Sequence, residues 1–385
     1  MQTNRFTKII LGGAFVTLLI SGCSADEPQF ADVFVSGQEG YKSFRIPATI
    51  ASPKGDLLAF AEGRKHGAGD SGDIDLVLKR SLDGGKTWGQ LQVVWDDAAN
   101  TCGNPCPVVD RKTGVIWLLL THNLGRDHEG DIMAGKSTGT RTVWVSHSKD
   151  DGLTWSKPAE ITATTKATNW TWYATGPGIG IQLKSGRLVI PCDHAEAKTR
   201  QWFSHVIYSD DHGANWKLGG TVGPKCNESQ IVERSDGSLL FNMRSYRGGN
   251  RRLTATSADG GSTFTEPVKD EALIEPVCQA SILRLDNAAS GTLLFANPAS
   301  TKREKMTVRL SRDDGKTWPL SREIHAGSAA YCCLVELPDQ HIGCFYEVDD
   351  YRRITFARFP LQWIKEAVAG VSPARDPQSN DTTTP

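Results

Sequence analysis

The sequence predicts an all-β fold, a six-bladed β-propeller of four-stranded antiparallel blades, and three observations predict it. An eight-residue pattern, Ser-x-Asp-x-Gly-x-Thr-Trp, recurs from Ser81, Ser148, Ser209, Ser257 and Ser311, with Asn215 and Phe264 as the departures. These starting points lie 48 to 67 residues apart, too long for a solenoid coil and right for one four-stranded blade with its loops. Short runs rich in Val, Ile, Trp and Phe alternate with Gly, Asp and Asn turns along almost the whole chain. Five repeats plus one degenerate blade make six.

Each repeat has the chemistry of a hairpin turn. Ser and Asp hydrogen-bond nearby backbone, Gly supplies a positive φ, and the closing aromatic ring packs between neighbouring sheets. The repeat aspartates are therefore structural. An apolar strand precedes each repeat: Leu76–Leu78, Val143–Val145, His205–Ile207, Leu253–Ala255 and Val308–Leu310. Further strands are expected at Val115–Leu120, Arg187–Pro191, Leu239–Arg244, Thr292–Asn297, Ile342–Glu347 and Ile354–Phe359. Leu361–Ala369 is the one segment that reads as a helix.

The N-terminus carries a different message. Arg5 and Lys8 precede an apolar run from Ile9 to Ile20, followed by Ser21-Gly22-Cys23. A short positive region, a short apolar core and small residues at a cut site describe a secretory signal over residues 1–22. The small residues before Cys23 resemble a bacterial lipobox, which makes Cys23 the expected lipidation site and a membrane the expected location. Residues 23–30 read as a tether, 31–366 as one catalytic-size domain, and 367–385 as a polar, disordered tail. A formal net charge of −1 gives no case for nucleic acid.

Eight cysteines follow Cys23, at 102, 106, 192, 226, 278, 332, 333 and 344. Export permits disulfides, and Cys102 with Cys106 in a Pro-containing segment is the favoured pair, the full connectivity staying open. Adjacent Cys332 and Cys333 are expected on opposite faces of one strand. No CxxC pair or histidine cluster suggests a metal site.

Phe44-Arg45-Ile46-Pro47, followed by the repeats at these spacings, resembles the sialidase (neuraminidase) family with Asp-box repeats, in particular the bacterial exo-α-sialidases. The resemblance covers about residues 35–365. It implies removal of terminal sialic acids from glycoproteins, glycolipids and oligosaccharides, with retention of configuration through a sialyl-tyrosine intermediate and no metal or organic cofactor. Sialic acid bears a carboxylate on its anomeric carbon, and rigid, permanently charged guanidinium forks pair well with carboxylates. The resemblance assigns Arg45, Arg244 and Arg309 to that task, with Arg247, Arg251 and Arg252 as neighbours of Arg244. Arg64 resembles the arginine that contacts the sugar's 4-position.

A carboxylate nucleophile is repelled by such a substrate, and sialidases use a tyrosine instead. An ordinary phenol titrates near pH 10, about three units above neutrality, and needs a neighbouring base. The resemblance implies Tyr331 as nucleophile, Glu228 as its base and Asp70 as the general acid. Tyr346 is the rival phenol; Asp73 and Asp75 compete with Asp70. Trp170, Trp172 and Tyr173 line the pocket or pack the sheet, and the loop 125–136 is long enough to overhang it. Two other readings stay open: a propeller that binds sialylated glycans without cleaving them, and a trans- or anhydro-sialidase.

Overall fold

The computed structural model describes residues 27–366. The expected signal segment, the lipidation site Cys23 and the tail from residue 367 lie outside the described residues. Gln29 and Phe30, expected in the tether, already belong to the first strand, β1 (Gln29–Val35).

Consecutive strands then pair as antiparallel meanders. The first is β2 (Ser43–Ala51), β3 (Leu57–Arg64), β4 (Ile74–Ser81) and β5 (Gln92–Trp95). The second is β6 (Thr101–Val109), β7 (Ile116–Asn123), β8 (Thr142–Ser148) and β9 (Ala159–Glu160). The third is β10 (Trp170–Thr175), the short β11 (Ile181–Gln182), β12 (Leu188–Glu196), β13 (Trp202–Ser209) and β14 (Lys217–Val222). The fourth is β15 (Cys226–Glu233), β16 (Leu239–Ser245), β17 (Arg251–Ser257) and β18 (Val268–Ile274). The remaining strands are β19 (Ser281–Arg284), β20 (Leu293–Pro298), β21 (Glu304–Ser311), β22 (Leu320–Glu336), β23 (His341–Val348) and β24 (Arg353–Pro360).

Hydrogen bonding gathers these strands into four sheets of eight, five, four and seven strands, so only the fourth meander stands as a separate four-stranded sheet. Two junctions account for the difference. A parallel pair, Ile74 with Thr101, joins the first two meanders. The 17-residue β22 pairs with β21 through its first half and with β23 through its second. At the other edge of that last sheet β1 lies antiparallel to β24, so the chain's first strand covers the edge of its last.

Three short helices interrupt the strands: α1 (Glu129–Ala134), α2 (Thr162–Thr165) and α3 (Leu361–Lys365). The third was expected from its apolar spacing. The first two sit in connections whose sequence reads as loop.

All five repeats form the expected staple at the end of the third strand of a meander. In the third copy, Ser209 Oγ donates to Asp211 Oδ1 at 2.8 Å, and the Gly213 N–H donates to Ser209 Oγ at 2.8 Å. Asn215 replaces Thr without loss, because its N–H and Nδ2 donate to Asp211 at 2.9 and 2.7 Å. Three of the closing rings bridge to another meander: Trp88 packs on Phe356 of β24 at 5.3 Å, Trp155 on Phe60 at 5.6 Å and Trp216 on Trp117 at 6.4 Å. Phe264 and Trp318 pack on Phe241 and Phe295 within their own meanders, and Phe264 also abuts Gly220 of β14, where a Cβ would lie 2.8 Å from its ring. The glycine of the repeat is demanded twice over. Gly213 has φ 88°, and a Cβ there would lie 2.1 Å from the Trp117 ring of the neighbouring meander.

The favoured disulfide does not form. Cys102 and Cys106 both lie in β6 and are buried thiols in different apolar clusters. Four residues along a strand separate Cα atoms by about 13 Å, twice the reach of a disulfide. All eight described cysteines are free and buried, behaving as small apolar groups. Cys332 and Cys333 do face opposite ways, one into the cluster beneath β23 and the other towards Thr49 of β2.

Gly213→Ala combines a disfavoured φ with a ring collision, and should lower unfolding stability by roughly 2–4 kcal/mol in urea titration. A change below about 0.5 kcal/mol would show that the repeat does not clamp adjoining meanders.

Candidate active site

The strand ends opposite the repeats surround a cavity of about 270 Å³ whose lining includes Arg45, Arg64, Asp70, Glu228, Arg244, Arg303 and Tyr331. Several of the strands that build it are bulged where they meet it. Register shifts fall between Arg45 and Ala48 in β2, Cys226 and Ser229 in β15, and Ala329 and Cys332 in β22. A bulge breaks the strict alternation of faces and re-aims a side chain. Here it turns Arg45, Glu228 and Tyr331 into the pocket. Ile46 shows the cost: a β-branched residue at φ 61°.

Glu347 of β23 holds that bulge. Its Oε1 accepts from Arg45 Nε at 2.6 Å and from the Ile46 N–H at 3.0 Å, and its Oε2 accepts from the Tyr331 N–H at 3.1 Å. One buried carboxylate thus orients an arginine and a tyrosine contributed by opposite ends of the chain. The Tyr351 ring covers the Arg45 guanidinium at 4.2 Å, and its hydroxyl accepts from Arg303 at 2.8 Å.

Glu228 and Arg244 face each other across the β15–β16 hairpin. Arg244 Nη1 donates to Glu228 Oε2 at 2.6 Å and to the Tyr331 hydroxyl at 3.1 Å. The Tyr331 hydroxyl itself donates to Glu228 Oε1 in a short hydrogen bond. Burial and the Glu228 charge push the phenol well above the ordinary tyrosine range, while Arg244 opposes them. Tyr331 therefore keeps its proton, with the acceptor for that proton already in contact. Tyr346 is elsewhere, buried in the cluster beneath β23.

Arg64 is buried at the end of β3 and paired twice. Its Nη2 lies 2.6 Å from Glu62 Oε2 and 2.8 Å from Asp70 Oδ1. Asp70 stands on the loop after β3 with its side chain 60% exposed. Burial raises its pKa, but Arg64 and Arg45 outweigh that and hold the carboxyl below the usual aspartate range. The competitors separate by geometry: Asp73 and Asp75 are bound by Lys65, each at 3.1 Å, and do not line the cavity.

Arg309, which the resemblance assigned as the third arginine, does not line the cavity. Arg309 is buried away from the cavity and donates to Asn297 Oδ1 at 2.9 Å. Arg303 lines the cavity instead, its guanidinium 5.6 Å from the Tyr331 ring. The reason is strand direction. β21 runs from the cavity end at Glu304 towards the repeat at Ser311, so Arg309 lies about 20 Å too far along it. Proximity to the repeat drew attention to the wrong end; a basic residue just before the third strand was the available signal.

On the other wall the sequence pointed only to Trp172 and to the loop that carries Glu129. That wall comprises Glu129 of α1, Arg141, Trp172, Asp193, Trp202 and Tyr246. The loop 125–136 does reach the site: Ile132 packs on Trp172 and brings Glu129 to the cavity. Of the three aromatics considered, Trp172 lines the cavity, whereas Trp170 and Tyr173 are core, Trp170 stacking on His194 at 3.3 Å.

A BNR repeat-like domain matches residues 55–344. A sialidase of Micromonospora viridifaciens is 36% identical over 94% of this chain and 61% of its own length. An exo-α-sialidase of Aspergillus fumigatus is 34% identical over 84% of this chain and 86% of its own. The solved structure of the Hadza microbial sialidase Hz136 superposes with a TM-score of 0.80 at 31% identity, over 87% of this chain and 69% of that one. The fold and site thus define a protein of repeated antiparallel β-meanders around an arginine-lined pocket. The chain belongs to the sialidase family with BNR (Asp-box) repeats. It spans about three fifths of the length of the Micromonospora relative.

Arg303→Met should weaken binding of a carboxylate-bearing sugar at least tenfold by calorimetry, whereas Arg309→Met should leave it within about twofold. The reverse result would return the third arginine to Arg309.

Proposed function

We propose that this chain is an exo-α-sialidase working by retention through a sialyl-tyrosine intermediate, on a six-bladed propeller whose blades are the meanders described above. The carrying observation is the Tyr331–Glu228–Arg244 contact: a buried phenol donating to a carboxylate, with a guanidinium bonded to both. A structural role needs no such set at the wall of a polar cavity. A glycan-binding role accounts for the arginines but leaves the phenol–carboxylate pair unemployed.

In this reading Arg45, Arg244 and Arg303 hold the substrate carboxylate. Tyr331 Oη attacks the anomeric carbon while its proton passes to Glu228. The bond from that carbon to the glycosidic oxygen breaks as Asp70 gives the oxygen its proton. Water then attacks the same carbon from the vacated side, giving its proton to Asp70 and releasing Tyr331, which recovers its own from Glu228. Two inversions leave the configuration retained. Every proton is handled by a side chain already in the pocket.

The arginines around it hold Asp70 ionised, which is the wrong state for an acid. Substrate supplies the correction: its carboxylate offsets the arginine field that depresses Asp70. A depressed pKa means the protonated fraction is lost on raising the pH through a point below the ordinary aspartate range. The alkaline limb of kcat/KM, which reports free enzyme, should therefore lie at lower pH than that of kcat, which reports the complex. Arg64→Met should move the kcat/KM limb upward, and coincident, unmoved limbs in pH-rate profiles would remove Asp70 from the role.

Tyr331→Phe should lower kcat on a fluorogenic sialoside by at least 10³-fold while sialoside binding persists, since the phenol oxygen is the attacking atom. Near-native turnover would place the nucleophile elsewhere. Proton NMR of the first minutes should show the α-anomer of free sialic acid; an anhydro or transferred product would keep the first step and change the second.

A further inference from the structure

The nucleophile and base of the proposed reaction stand on strands that do not pair with each other. Tyr331 is carried by β22 and Glu228 by β15, which belong to different sheets. Their hydrogen bond therefore depends on whatever fixes one strand against the other. On the β23 side, Glu347 accepts from the Tyr331 N–H. The opposite edge of β22 pairs with β21 only as far as Ser328, so among the described residues no strand lies there beside Cys332, the residue after the nucleophile. Gln279, 1% exposed and just before β19, takes the place of that strand. Its Oε1 accepts from the Cys332 N–H at 2.9 Å and its Nε2 donates to the Cys332 carbonyl at 2.9 Å, the two bonds a backbone neighbour would make.

The same Nε2 reaches a third element. It donates to the Pro177 carbonyl at 3.0 Å, in the connection between β10 and β11. That carbonyl also accepts from Gln230 Nε2 at 3.2 Å, and Gln230 lies two residues beyond Glu228 in β15. One step nearer the base, the Ser229 N–H donates to the Gly176 carbonyl at 3.3 Å. A single carbonyl thus joins the strand of the phenol to the strand of its carboxylate. Both glutamines are 1% exposed and neither lines the cavity, so their amides serve the frame and not a ligand. The frame matters because attack requires near-contact geometry, and a misplacement of about 1 Å can cost roughly 10²-fold in rate.

We propose that Gln279 is a positioning residue: by tying Cys332 to the Pro177 carbonyl, and through that carbonyl to Gln230, it sets the Tyr331 hydroxyl against Glu228. This rests on the sialidase reading. The arginines hold the substrate carboxylate without help from Gln279, so Gln279 governs turnover and leaves affinity unchanged.

The test combines turnover of a fluorogenic α-sialoside with calorimetric binding of a 2,3-unsaturated sialic acid analogue. It compares wild type, Gln279→Met, Tyr331→Phe and the double variant. Gln279→Met keeps the volume and removes all three hydrogen bonds. It should lower kcat about 10- to 100-fold while analogue affinity stays within about threefold. In the Tyr331→Phe background the same change should lower the residual kcat by less than about threefold, because no attacking oxygen is left to misplace. A merely structural role predicts the same loss in both backgrounds, and that result would overturn the proposal. An unchanged kcat, or a fall in affinity as large as the fall in kcat, would overturn it equally. If Gln279→Met does not fold, the same cycle is read with Gln279→Asn, whose amide is one methylene too short to hold Cys332 and Pro177 together. Failure of both variants to fold would make Gln279 a stability element and overturn the positioning role. A wild type that cleaves no sialoside would instead overturn the sialidase reading, and this inference with it.

Discussion

Burying several like charges around one small cavity is the constraint on which the rest of this structure depends. Arg45, Arg64, Arg141, Arg244 and Arg303 all line a space of about 270 Å³. Unpaired cations in a poorly solvated cavity repel one another, and each must be compensated or destabilise the fold. Glu347, Glu62 and Glu228 do this for three of them. A further pair, Arg252 with Glu275 at 2.6 Å, lies wholly buried behind Arg244, and Glu275 also accepts from the Ser245 N–H at 2.8 Å. The compensating carboxylates also orient the guanidiniums, so electrostatic necessity and geometric precision have one solution.

The same constraint shapes the backbone. An ordinary strand offers the pocket every second side chain, and a charged residue rarely falls at the right place on a strand that is otherwise buried. Bulges in β2, β15 and β22 break that alternation at the cavity end. The strained Ile46 is retained because Glu347 bonds its N–H, the Arg45 side chain and the Tyr331 backbone together. Strain and charge burial are both borne at the cavity, while the repeats at the other end of the sheets bind adjoining meanders through apolar rings and glycine contacts. Stability and chemistry are thereby kept at opposite ends of the strands.

Titration behaviour follows from placement. Tyr331 and Asp70 border one cavity and are shifted in opposite directions. The phenol is buried against a carboxylate and holds its proton more tightly, whereas the aspartate stands over Arg64 and releases its own more readily. A negatively charged ligand among the arginines acts on Asp70 in the sense that an acid requires. In the proposed reaction the substrate's own charge prepares the proton donor.

By itself the sequence determined the all-β meander, the position of every repeat staple and the strands before them, because short-range chemistry dictates these: turn residues hydrogen-bond within four positions, and strand periodicity is local. Resemblance to a known family, carried by the Phe-Arg-Ile-Pro segment and the repeats, marked Arg45, Asp70, Glu228, Arg244 and Tyr331, all of which line the cavity. Tertiary structure alone decided the rest. Arg303 replaced Arg309 because strand direction, invisible in a residue pattern, sets which end of β21 meets the pocket. Cys102 and Cys106 stay apart because an extended strand holds them beyond bonding distance. The wall of Glu129, Arg141 and Asp193 comes from two meanders with no motif among them, and its unpaired groups became visible only when the partners they lack were counted in space. The joining of meanders into larger sheets was equally beyond reach, since it turns on one parallel pair and one long strand, each a matter of how distant segments meet.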